Sequence, residues 1–188
     1  MGTAVDATLA TELSLLSALM LAHPIVDHWA LWQEHQKKRD EERQKYFDHI
    51  FSEEGTEEET WPDPILVEDT ADPLAFLKKP DALEMLHSIE NYLSAQISIV
   101  EKSFSRYVVT GDLPAPHYPF RICVILRKSK ESDLEMSFLA AWCRHFGWIG
   151  RDSGARYADL VSRAKKLGVV VPDSDRALAS HPLKRPTP

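Results

Sequence analysis

Leu83, Leu86, Ile89, Leu93, Ile97, Val100, Phe104 and Tyr107 follow one another by three or four residues. That spacing holds all eight on one stripe of a 3.6-residue helix. The opposite side carries Glu84, Glu90, Gln96, Lys102 and Arg106. Pro80 is barred from a helix interior, and Asp81 with Glu84 outlines an acidic capping box. Gly111 suits a left-handed stop. The stripe predicts one helix over about 81–109, roughly 43 Å long. Other helices must cover it, so the chain is predicted all-α, a single helical domain organised around this element.

The flanking segments supply those helices. Residues 5–22 have Leu9, Leu13, Leu16 and Met20 on one side, and His23-Pro24 breaks the chain after them. A second helix is predicted from about Pro24, with Ile25, Val26, Trp29 and Trp32 apolar. Its QEHQKKRDEERQK run, Gln33–Lys45, is helical by propensity and charge pairing but cannot be buried. Tyr46, Phe47, Ile50 and Phe51 predict that it docks again. Phe120–Leu126 is compatible with helix or strand after the proline-rich GDLPAPHYP. Ser132 with Glu135 predicts a capped, central helix ending at Gly147, and Ser153 opens another that Gly168 closes. The expected division is 1–51 N-terminal helices, 52–79 an acidic loop, 80–168 the helical core and 169–188 a tail with one turn at Arg176–Ala179.

Charge is unevenly spread. Residues 1–77 hold 17 acidic and 5 basic side chains, a net −12, whereas 78–188 hold 12 and 17, a net +5. The acidic total therefore does not exclude a polyanion partner for the C-terminal half. Glu53, Glu54, Glu57, Glu58 and Glu59 repel one another and read as a solvated surface loop; a mimic of nucleic-acid charge is the sharper alternative. Leu13–Ala22 lacks the basic start of a signal peptide and the length of a membrane span. Cys123 and Cys143, twenty residues apart among apolar neighbours, read as buried thiols of a reducing compartment. A cytoplasmic protein without cofactor, metal or membrane contact is expected.

Candidate chemistry is sparse. His28 and His35 share a helix face with Trp32, and His23 stands four residues before Asp27, but neither pair has a zinc-binding HExxH arrangement. Arg43 and His49 fit the loose R-x4-6-H pattern of helical HEPN-type ribonucleases, with Gln44 an imperfect version of the usual polar residue after the Arg. That resemblance implies phosphate stabilisation by Arg43 and acid/base work by His49. Ser132–Phe146, Gly147–Asp152 and Ser153–Leu167 have the order of a helix-turn-helix whose second helix is basic. Arg156, Arg163 and Lys166 fall on one face of it, with Arg151 ahead and Lys165 beside them. A plain helical hairpin with a solvated outer face is the simpler reading of the same pattern.

Tyr118-Pro119-Phe120-Arg121, Asp133-Leu134 and the run Arg144-His145-Phe146-Gly147-Trp148-Ile149-Gly150-Arg151-Asp152 resemble a family of accessory proteins from integrating conjugative elements and conjugative plasmids. Leu167-Gly168-Val169 fits as well, so the likeness spans about residues 80–173, departing at Trp148, where a smaller aliphatic residue is usual. It implies a helical pair joined by the Arg144–Arg151 turn and a regulatory rather than enzymatic role. The expectation is thus a non-enzymatic accessory protein of a mobile element. It would meet DNA, RNA or a nucleoprotein complex through Arg151, Arg156, Arg163, Lys165 and Lys166, with protein partners besides. A HEPN-like ribonuclease using Arg43 and His49, or a protein-only adaptor, is the alternative.

Overall fold

The computed structural model describes residues 5–51, 74, 77, 79–149 and 155–172, residues 49–51 by backbone alone. Among the described residues there are seven helices and no strand: α1 (Ala7–Ala22), α2 (His28–Phe51), α3 (Ala82–Ile89), α4 (Leu93–Thr110), α5 (His117–Ser129), α6 (Ser132–Phe146) and α7 (Ala155–Lys166). The all-α expectation holds there, and no described helix is long and apolar enough to cross a membrane. The acidic stretch 52–73, the helix start at Ser153 and the Arg176–Ala179 turn lie outside the described residues.

α1 is apolar nearly all round, yet it contains Ser14 and Ser17. Each hydroxyl donates to the carbonyl four residues back, at 2.7 and 2.8 Å, so the buried Ser17 leaves no polar atom unmatched. Asp6 caps the helix by accepting from the Thr8 N–H at 2.7 Å. α2 starts at His28 rather than Pro24, because Asp27 accepts from the Ala30 N–H and so sets the first turn there. Along α2, none of the described side chains is buried. Pairs such as Lys38–Glu34 at 2.7 Å support it instead, as the charge pattern anticipates.

The predicted long helix is broken. α3 ends at Ile89 and α4 begins at Leu93. A break exposes carbonyls that no longer have a partner one turn on, and tertiary side chains take them. Gln96 Nε2 donates to Ile89 O at 2.8 Å, and Arg121 Nε from α5 donates to Glu90 O at 3.1 Å. Arg121 also reaches Asn91 Oδ1 at 2.9 Å and the Glu90 carboxylate at 3.0 Å. The three stripe residues of α3 are not buried, whereas the five of α4 are. Leu93, Ile97, Val100, Phe104 and Tyr107 are buried, while Leu83 in α3 is 74% exposed. Asp81 stands at the N-cap of α3 without a side-chain cap bond.

The ambiguous Phe120–Leu126 run is helical. Pro119 is the third residue of α5, where its missing N–H is an orphan in any case. α6 is the most enclosed element: Phe138, Leu139, Ala141, Trp142, Cys143, His145 and Phe146 are all buried, and α1, α5 and α7 pack on it. Across the core, α4 meets α1, α2 and α5. Gly111 closes α4 at φ 74°, and a Cβ there would lie 2.6 Å from Trp32 N and 2.7 Å from His28 O. Glycine thus serves both the left-handed turn and the close seating of α2's first turn. Gly147 ends α6 without a left-handed φ; its bare Cα admits Val171, which returns against it after α7.

Candidate nucleic-acid interface

α7 is held at both ends. Tyr157 donates its hydroxyl to Pro114 O, fixing the first turn against the loop between α4 and α5. At the other end Leu160 and Ala164 are buried while Lys165 and Lys166 are exposed. Arg156 lies 4.2 Å over the ring centroid of Phe120, at the start of α5, and Arg127 and Lys166 line one groove near the ends of both helices. α5 and α7 therefore run side by side in the same direction.

The groove between them encloses about 280 Å³ and is lined by Phe120, Cys123, Arg127, Glu135, Arg163 and Lys166 among others. At its base Arg163 grips Glu135 with two parallel bonds, Nε–Oε1 and Nη2–Oε2, each 2.7 Å. Glu135 is 1% exposed. The paired hydrogen bond to this carboxylate holds the Arg163 guanidinium above its ordinary range, so it stays charged. This corrects one sequence reading. Glu135 does not close a capping box on Ser132: Glu131 occupies the cap position without a side-chain bond, and Glu135 turns inward. Arg163, one of the predicted cations, is paired with this internal carboxylate, with 29% of its side chain exposed.

The other candidates separate in the same way. Arg156 is laid on Phe120 and lies 3.5 Å from Asp159, so it is engaged within the protein. Arg151 lies outside the described residues. Lys165 and Lys166 remain exposed on the last turn of α7, as do Arg127, Lys128 and Lys130 at the end of α5. These α5 cations directly follow the apolar Phe120–Leu126 run. Nothing in the sequence shows that they stand beside α7. Arg43, the ribonuclease candidate, bonds Asp40 at 3.1 Å on the exposed α2, and the His49 side chain lies outside the described residues. Six residues apart on one helix, the two backbone positions lie about 120° apart around its axis.

Several of the residues carrying the family likeness serve the packing. Tyr118 and Pro119 are buried in α5, and Arg121 closes the α3–α4 break. His145 is buried and donates from Nε2 to Met20 O at 2.7 Å, joining α6 to the end of α1. Its Nδ1 has no partner among the described residues. Burial, helped by the charge of Arg144 and opposed by the bond to Met20, holds the imidazole below its usual range and hence neutral. Trp148 fills the departure from the family pattern by donating to His145 O at 2.6 Å. Cys123 and Cys143 are free, buried thiols; burial pushes Cys143 up to about 12 and Cys123 higher. Among the described residues, no three His, Cys, Asp or Glu side chains gather as a ligand set. No family model matches the chain, and neither a curated protein nor a solved structure matches it.

Proposed function

We propose that the protein is a non-catalytic accessory factor of a mobile element that holds nucleic acid by its phosphates along the edge where α5 and α7 end. One observation carries this reading: Arg127 and Lys166 converge on a single groove, with Lys128, Lys130 and Lys165 exposed on the same two final turns. Each helix end contributes about half a negative charge. Five cations exceed those two half-charges several-fold, so the edge stays attractive to a polyanion. The α6–α7 order suits a helix-turn-helix, whose second helix reads bases from its first turns. In α7 those turns hold Arg156 over Phe120, which favours contact from the far end instead. Phosphate contacts position a protein without reading sequence. Duplexes of unrelated sequence should therefore bind within a few-fold of one another.

Fluorescence anisotropy with duplex DNA, single-stranded DNA and RNA across a salt series tests this. Log affinity should fall with log salt by about 0.9 per phosphate contact on duplex. The Arg127→Ala, Lys165→Ala, Lys166→Ala triple variant should flatten that slope by about two to three. Absence of binding to all three at low salt overturns the proposal.

A further inference from the structure

On the α1–α4 side lies a groove of opposite character, of about 500 Å³. Its floor is Leu16 and Ile97, both buried, and its walls include Leu15 and Leu19, 65% and 45% exposed. A helix that is apolar nearly all round is normally covered on every side; among the described residues, the helices that pack substantially on α1 are α4 and α6. The groove spans Glu12 to Leu19 on α1 and Ser94 to Glu101 on α4, about two turns of each. Ser94 and Ser98 keep the α4 wall low, so an incoming backbone can come near. Among the described residues, the charged side chains lining it are Glu12 and Glu101, with no cation beside them.

We propose that this groove docks a basic amphipathic helix of a partner protein. Two exposed leucines one turn apart offer a seam for apolar anchors spaced by three or four residues, the helix-in-groove mode of recognition. The two glutamates select the flanks: Lys or Arg beside the anchors meets an opposite charge, whereas Glu or Asp meets a like one. A phosphate backbone meets an apolar floor, two serines and two repelling carboxylates here. A second copy would bring the same two glutamates to the interface. The face is thus independent of the α5–α7 edge and of the opposite charge preference.

The probe is a fluorescein-labelled sixteen-residue model helix, with Leu spaced by three and four residues and Lys on both flanks, titrated with the full chain. Its counterpart carries Glu in place of Lys. The basic peptide should bind saturably and the acidic one should not. Leu15→Asp, at a site already exposed to solvent, should weaken the basic peptide about tenfold or more with an unchanged circular dichroism spectrum. Glu12→Lys with Glu101→Lys should reverse the preference between the peptides, which loss of folding could not do. Lys165→Ala with Lys166→Ala should leave peptide binding untouched, separating this site from the nucleic-acid edge. Equal binding of both peptides, no binding, or indifference to Leu15→Asp overturns the proposal. So does a dimer in sedimentation that Leu15→Asp dissociates, since a second copy would then occupy the groove.

Discussion

α2 and the α6–α7 pair both rely on ionic contacts between helical side chains, with opposite consequences. Along α2, Glu34–Lys38 and Asp40–Arg43 join residues three or four apart, and every member is about half exposed or more. Their geometry follows from the helix itself, and water competes for both partners. Between α6 and α7, Glu135 and Arg163 stand 28 residues apart and the carboxylate is sealed from solvent. A surface pair adds little to stability. A buried pair is costly to form and far costlier to break, because removal of one partner strands the other's charge.

The largest effect should come from breaking the buried pair on one side. Arg163→Ala should cost about 3–5 kcal/mol in denaturant unfolding. Replacing both partners by Leu should recover most of that loss, since no charge is then stranded. Equal damage from the double replacement would mean that Arg163 acts by packing alone.

The next effect asks whether α2, with no described side chain buried, is nonetheless fixed. Gly111→Ala should cost at least about 1–2 kcal/mol from the left-handed φ alone. The methyl would also meet the His28 and Trp32 backbone. Hydrogen exchange in the first turn of α2 should accelerate in this variant. Unchanged exchange there would mean that the close seating of α2 on Gly111 does not hold its first turn.

A smaller, pH-dependent effect belongs to His145. Its folded pKa lies below the unfolded value of about 6.5. The unfolded state then binds the proton more readily, so stability is full above that value and is lost as pH falls through it. The melting temperature should drop between about pH 7 and pH 5, and His145→Gln should flatten the drop. His117, lowered first by burial and then by Arg121 and Arg156, adds in the same direction. A pH profile identical in wild type and variant would assign the drop elsewhere. Smallest of all, Arg43→Ala should leave the melting temperature within error, and a clear loss would contradict the weakness of the α2 pairs.

Much of the fold was legible because helices are local. Spacings of three and four residues gave the buried sides of α1 and α4, and Gly111 and Gly168 marked stops that both adopt positive φ. His23-Pro24 marked the end of α1, though the start of α2 waited on the Asp27 cap. The same local logic misled at two places. An unbroken stripe ran over the 90–92 break, since Ile89, Leu93 and Ile97 keep their spacing across it. Ser132 and Glu135 matched a capping box by spacing, while an arginine 28 residues downstream claimed the glutamate.

The sequence by itself determined most of the helical segments, the apolar sides of several of them, and that positive charge gathers after residue 78. Those properties depend on neighbours within one or two turns. The tertiary structure alone decided which charges are consumed and which are left. Arg121 meets Glu90 and Asn91 across about thirty residues, Arg163 meets Glu135 across 28, and His145 meets Met20 across 125. A side chain's charge is available to a partner only if folding has not already paired it. No spacing rule specifies that pairing, because it depends on how whole helices pack.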